Sequence, residues 1–316
     1  SERSRGLGDV YKRQTYNRLP ILKKCLDALE NQSLKVEIHD FEIVIVDDGS
    51  TDGTVDWLTN NLETYPHLRL FEQSHGGPAL GRNLGVEKSK GDLIVFIDSD
   101  LVVDRYFLRN HLDSLFKAWK KLGNRKCFTY GSVINTSNFN NPNSEPFKLQ
   151  DLSWAYFATG NVAIDKTVLE TSGLFDTSFR LYGWEDLELG ERLRNMGVKL
   201  IKCPRAIGYH WHPALALDQI PQLIRIEKER AKMGLVFYRK HPSLRVKFII
   251  QYTFFHRFLW EFLTFGGLIN TKTLRPLLAF LIKNGQSGLA MELLRLPLNL
   301  IGVRQIFREA SLIGLQ

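Results

Sequence analysis

A chain of 316 residues, 44% hydrophobic and 24% charged, can bury a sizeable core and is not a disordered, collagen-like or disulfide-stapled protein. Its net charge of +8 is unevenly spread: residues 217–316 hold 15 Lys or Arg against 6 Asp or Glu, and the first 216 hold 27 against 28. The basic excess belongs to the C-terminal third, which argues against a nucleic-acid-binding core, and no nucleic-acid-binding motif accompanies it. Cys25, Cys127 and Cys203 have neither zinc nor redox spacing and read as reduced thiols of a cytoplasmic protein. The longest apolar stretch, residues 248–270, is interrupted by Gln251, His256, Arg257 and Glu261, so no membrane-spanning helix is expected. Ser1–Gln14 lacks the apolar run of a signal peptide.

In chain order, Ser1–Gln14 (SERSRGLGDVYKRQ) reads as a non-native or scar segment, and the apolar strand expected before the first helix is missing. Pro20 opens a helix with Leu22, Cys25, Leu26 and Leu29 on one face. A strand over residues 41–46 ends in Asp47-Asp48-Gly49-Ser50 and leads to a helix through Val55, Trp57 and Leu58. A strand follows at 68–71, then a helix from Gly76-Gly77-Pro78 closed by Gly91. The most apolar strand, 93–97, runs into Asp98-Ser99-Asp100. Residues 135–146 form a polar, Asn-rich loop, and Leu187, Leu193 and Met196 mark a helix capped by Gly197. After Pro213 only helical patterns recur. The expected fold is α/β over residues 15–216, a mostly parallel sheet with helices on both faces, followed by an α-helical region over 217–316.

Ligands of such sheets sit at the carboxyl ends of strands, where both acidic clusters fall. Asp98 and Asp100 offer hard oxygen ligands for Mg²⁺ or Mn²⁺, although an isolated D-x-D also suits two solvated turn acids. Ser50, Thr51 or Asp52 can cap the following helix, but capping leaves Asp47 and Asp48 unexplained. A carboxylate there can accept the imide N–H of a uracil. Glu185 and Asp186 fall in the first turn of a helix, where negative charge suits the dipole; Trp184 beside them adds an aromatic face for a sugar ring. Of His210 and His212, the two are expected to face opposite ways and at most one to join a metal site.

Together these segments resemble the family 2 glycosyltransferases, which have the GT-A, Rossmann-like nucleotide-sugar fold. The resemblance spans about residues 15–212. It implies that Tyr16, in Thr15-Tyr16-Asn17-Arg18, stacks on the uracil and that Asp48 binds the base. Gly81-Arg82-Asn83-Leu84-Gly85 is similar to the family's helix beside the nucleotide, giving Arg82 and Asn83 donor-binding roles. Asp98 and Asp100 match the D-x-D of ribose and metal, with His210, or alternatively His212, as the late ligand. Gly160-Asn161 and Gly183-Trp184-Glu185-Asp186 match the acceptor half: Asp186 as general base, Glu185 orienting the acceptor, and Trp184, Gly160 and Asn161 binding it.

The resemblance implies an inverting, metal-dependent transferase that moves a sugar from a nucleoside diphosphate, UDP foremost, to a hydroxyl of a glycan or lipid-linked acceptor. The alternatives are a non-catalytic carbohydrate- or membrane-binding protein on this fold and a phosphatase using Asp98, whose later Gly-Asp motif is absent downstream. Arg225, Lys228, Arg230, Lys232, Arg239, Lys240, Arg245 and Lys247 precede the aromatic run 248–265. Basic flanks with Phe and Trp suggest helices lying in an anionic membrane surface, peripheral at its inner face; a helical cap or dimer partner fits the pattern equally.

Overall fold

The computed structural model describes residues 4–9 by their backbone, and residues 19–34, 41–74, 76–146 and 156–315 with side chains. The chain forms two compact units: residues 1–180 with 185–212, and residues 181–184 with 213–316.

The first unit is built on an eight-stranded sheet. Its strands are β1 (Ser4–Asp9), β2 (Phe41–Asp47), β3 (Leu68–Glu72), β4 (Leu93–Asp98), β5 (Leu101–Val103), β6 (Cys127–Thr136), β7 (Asn161–Asp165) and β8 (Lys199–Trp211), in the order β3-β2-β1-β4-β7-β6-β8-β5. The pairs among β3, β2, β1 and β4 are parallel, as is β6 with β8, while β7 runs antiparallel to β4 and β6, and β5 antiparallel to β8.

The slot between β2 and β4, which the sequence leaves without an apolar strand, is filled by Ser4–Asp9, paired along its length with Phe41–Val46 on one side and Leu93–Asp98 on the other. The ladder uses main-chain groups, which a polar, proline-free segment supplies as well as an apolar one.

Helices α1 (Leu19–Glu30), α2 (Thr54–Asn60), α3 (Pro78–Lys88), α4 (Phe107–Leu122), α5 (Lys166–Thr171) and α6 (Glu185–Asn195) cover both faces. Strand residues alternate between two cores. Ile43, Ile45, Val95 and Ile97 pack with Leu22 and Leu26 of α1, Leu58 of α2 and Leu112 of α4. Val44, Ile94 and Phe96 pack with Ala79 and Val86 of α3, Leu169 of α5 and Leu189 of α6. This period-two division is why the strands read as continuous apolar runs.

Strands β6, β7 and β8 are joined by buried polar groups. The register of β6 with β8 slips between Gly131, opposite Cys203, and Ser132, opposite Ile207, forming a bulge. Asn161 of β7 fills it, its amide donating to Ser132 O and Ala206 O, each at 2.9 Å. A β-carbon at Gly131 would lie 2.3 Å from Asn161 Oδ1, so only glycine fits there. Asn161 Oδ1 in turn lies 2.8 Å from Nε2 of His111 on α4, whose Nδ1 is 2.8 Å from Thr129 Oγ1. With the amide N–H groups committed to carbonyls, Oδ1 accepts from Nε2–H, and the Thr129 hydroxyl donates to Nδ1.

The second unit is helical. It contains α7 (Ile220–Lys240), α8 (Leu244–Ile249), α9 (Phe254–Leu263), α10 (Arg275–Lys283) and α11 (Ser287–Leu312). One of its cores joins Ile220, Leu278, Leu281, Ala290, Leu294 and Leu298. Among the described residues no helix is long and apolar enough to cross a membrane.

Burial lowers the His111 pKa from 6.5 to about 4, so the ring is neutral in the folded chain. Between those values the unfolded chain binds the extra proton. Stability that is fully present above pH 6.5 is therefore lost as the pH falls toward 4, by about 3 kcal/mol. His111→Gln should be less stable than wild type at pH 7, and urea denaturation should show the gap narrowing by pH 4.5. A constant gap would contradict the neutral buried ring.

Candidate active site

Strand β4 ends at Asp98, Ser99-Asp100 turns the chain, and β5 starts at Leu101. Antiparallel pairing sets Leu101 opposite His210 of β8, and Trp211 N donates to Asp100 O at 2.9 Å. Residues distant in sequence are thereby brought together: ligand atoms of Asp98, Asp100 and His210 all lie within 4.8 Å of one another. His210 Nε2 and Asp100 Oδ1 are 2.8 Å apart. Around a six-coordinate Mg²⁺, adjacent ligands stand roughly 3 Å apart and opposite ones roughly 4 Å, so two carboxylates and an imidazole at these separations suit a small divalent cation. His210 takes the position nearest the acids. The expectation that the two histidines face opposite ways is corrected: residues two apart in extended chain share a face, and the rings of His210 and His212 are 4.1 Å apart, with His212 Nε2 3.2 Å from Asn135 Oδ1. Gly160 lies against the acids as well. A β-carbon there would stand 3.0 Å from Asp98 Oδ2, so its lack of a side chain makes room for the carboxylate.

The acids after β2 divide their work. Asp47 Oδ1 accepts from Gly49 N at 2.9 Å and Ser50 N at 2.7 Å, closing the turn. Asp52 supplies the acceptor at the start of α2, taking the Thr54 N–H at 3.2 Å and its hydroxyl at 2.6 Å. Asp48 is buried and holds the segment before α3: its Oδ1 accepts from Gln73 Nε2 and Gly76 N, both at 2.8 Å, and its Oδ2 from Gly77 N at 3.2 Å. Tyr16 and its neighbours lie outside the described residues.

Arg82 and Asn83 of α3 reach α6 and the loop before it. Arg82 Nη1 donates to Glu185 Oε1 at 2.6 Å, and both side chains are buried. Asn83 donates to Phe175 O at 2.8 Å and accepts from Phe175 N at 2.9 Å, so its amide fixes the loop before α6. Arg192 holds the same loop, donating to Leu174 O at 2.6 Å while paired with Glu188 at 2.7 Å. Asn83, expected on the donor side, thus brackets the main chain at Phe175. Asn161, expected on the acceptor side, is buried and hydrogen-bonded to β6, β8 and His111.

Glu185 and Asp186 open α6 as expected. The half-buried Asp186 has its pKa raised from 3.8 to about 6, chiefly by desolvation and further by the charge of Glu185. Arg82 and the main-chain donors of Leu187 and Thr159 oppose the rise without cancelling it. A carboxylate of this kind is a better proton acceptor near neutral pH than an ordinary one. Trp184, at φ 79°, belongs to the second unit. Its indole N–H donates to Arg230 O at 2.7 Å and the Arg230 guanidinium lies 4.9 Å over the ring, so the platform expected for a sugar is partly taken by α7.

His111 escaped notice in the sequence, although its place among Phe107, Leu108, Leu112 and Leu115 on the apolar face of α4 marks it as buried. The Arg82–Glu185 pair joins motifs 103 residues apart and has no local signature.

Over 236 residues the chain is 26% identical to the chondroitin synthase of Escherichia coli, covering 63% of this chain and 34% of the synthase. It spans between 24% and 34% of the length of the first curated relatives it matches. Among solved structures, the mannosyltransferase PcManGT of Pyrobaculum calidifontis, in complex with GDP-Man and Mn²⁺, superposes with a TM-score of 0.58 at 19% identity, over 100% of this chain and 88% of that one. GalNAc-T7, solved with UDP, GalNAc and Mn²⁺, gives 0.50 at 16% identity over 72% of this chain and 47% of its own. These likenesses identify the GT-A fold. The Glycosyl transferase family 2 profile matches residues 14–173, just over half of the chain, and the chain belongs to that family.

Proposed function

We propose that the chain is an inverting, metal-dependent glycosyltransferase that moves a sugar from a nucleoside diphosphate to a hydroxyl of a glycan or lipid-linked acceptor. The observation that carries the reading is the convergence of Asp98, Asp100 and His210 at one sheet edge. These three residues would hold Mg²⁺ or Mn²⁺, whose charge offsets the negative charge gathering on the leaving diphosphate. Asp186 takes the proton of the acceptor hydroxyl as its oxygen bonds to the anomeric carbon. The bond from that carbon to the diphosphate oxygen breaks on the opposite side, and the nucleoside diphosphate departs with the electron pair. Glu185, fixed by Arg82, holds a negative charge beside Asp186 and keeps its proton affinity high. Asp48 is the acid assigned to the base of the donor, with UDP the first choice. Since the two neighbouring folds were solved with GDP-Man and with UDP, a donor panel should include both bases.

Titration calorimetry with UDP should show binding that Mn²⁺ strengthens at least ~10-fold, an enhancement lost in Asp100→Asn and His210→Ala. Equal binding with chelator present would remove the metal from the site, and no nucleotide binding at all would favour a non-catalytic carbohydrate-binding protein.

Asp186→Asn should lower turnover by at least ~10²-fold with donor affinity within about twofold of wild type, measured by nucleotide release across the donor panel. Wild-type kcat/KM should fall as the pH drops through about 6, where Asp186 takes up its proton. The same variant has a second signature. Because folding raises this pKa, the ionised group opposes folding above pH 6, and the amide should stabilise the protein at pH 7 by about 1–3 kcal/mol in chemical denaturation. Retained turnover in Asp186→Asn would take the base role from this residue.

A further inference from the structure

The second unit presents a face that its own packing does not use. None of the ten residues of α9 is buried. Phe254, Phe255, Phe258 and Phe262 expose 80, 60, 70 and 67% of their surface, and Phe265 and Leu268 in the turn that follows expose 70 and 74%. The rings of Phe258 and Phe262 stack on one another at 6.1 Å and 16°. Isolated exposed apolar residues are ordinary, but a contiguous set of phenylalanines marks an interaction surface.

The backbone adds a second observation. Phe265 is held at φ 51°, followed by Gly266 at 67° and Gly267 at 95°. A bulky residue in the left-handed region is strained, and here the strain gains no burial, since Phe265 points into solvent. Arg304 fixes this tip, donating to Gly266 O at 3.0 Å and to Glu261 at 2.6 and 2.8 Å.

Charge identifies the occupant. Residues 244–283 carry six Lys or Arg and a single acid, Glu261, which Arg304 neutralises. Arg257, Lys272, Arg275 and Lys283 are exposed. A second copy of the chain would set this positive patch against itself. A bilayer with anionic headgroups supplies negative charge for the basic residues and an apolar layer for the rings. With no helix able to cross a membrane among the described residues, the contact is one that lies on the surface.

We propose that the face formed by α9 and the Phe265–Leu268 turn is a docking surface for an anionic phospholipid bilayer, with the phenylalanine rings seated at the boundary between headgroups and acyl chains. The proposal goes beyond the transferase reading and uses none of its steps.

Flotation of the full chain with phosphatidylcholine vesicles, with and without an equal share of phosphatidylglycerol, tests it. The expected result is binding to the anionic vesicles, weakened by raising the salt from about 50 to 500 mM. Phe258→Ser combined with Phe262→Ser should weaken it at least ~10-fold with helix content and UDP binding unchanged. Lys272→Glu combined with Arg275→Glu should weaken it further than loss of the rings' burial alone explains, roughly fivefold for each charge removed. Absence of flotation with anionic vesicles overturns the proposal, as does binding indifferent to both double variants. A concentration-dependent dimer that the phenylalanine variant dissolves would assign the face to a second copy instead. Since the readout needs neither donor nor acceptor, failure here leaves the catalytic reading untouched, and the reverse also holds.

Discussion

A guanidinium and a carboxylate, 2.6 Å apart and almost wholly removed from water, join the two halves of the catalytic unit. Arg82 comes from α3, and Glu185 begins α6, the helix that carries the candidate base. Burying two charges is costly, and such a pair gains little over a well-packed apolar contact, whereas losing one partner leaves an uncompensated buried charge at a cost of about 3–5 kcal/mol. What the pair supplies is position and field. It fixes the start of α6 against α3, and its members act on Asp186 with opposite signs, Glu185 raising the proton affinity and Arg82 lowering it. The pKa of Asp186 is therefore set by burial and the balance between these two charges. The loop before α6 is held from both sides by Asn83 and Arg192, so this balance is not left to a mobile segment.

Much of this was legible in the sequence. Apolar runs ending in Asp47-Asp48 and Asp98-Ser99-Asp100 locate the parallel strands and the edge where their acids collect, and the Glu185–Gly197 stretch carries its helix signals openly. The fold class follows from those segments alone. Other features have no local trace. Strand β1 is polar in sequence, and its pairing rests on neighbours that arrive later in the chain. Strand β8 shows no steady alternation, since the bulge opposite Gly131 interrupts its period. Arg82, Asn83 and Asn161 stand out in the sequence, but residue type cannot distinguish an amide or guanidinium that meets a ligand from one that braces the protein. In the structure all three hydrogen-bond to other parts of the protein.

The charge distribution now has a structural meaning. Acids of the first unit sit at strand ends, where Asp47 and Asp48 draw main-chain N–H groups around them and Asp98 and Asp100 face an imidazole. Basic residues of the second unit border an aromatic surface. The first unit is therefore near neutral while the second is strongly basic.

The bulge between β6 and β8 decides which part of β8 arrives at the turn after β4. Pairing passes from Gly131 opposite Cys203 to Ser132 opposite Ile207, so β8 spends three more residues than its partner at that point. Had the register continued unbroken from Cys203, Ile207 would stand opposite Asn135; with the three extra residues His210 stands there instead, and it pairs with Leu101 on its other side. An irregularity in the ladder thus brings an imidazole, in place of an aliphatic side chain, beside Asp98 and Asp100.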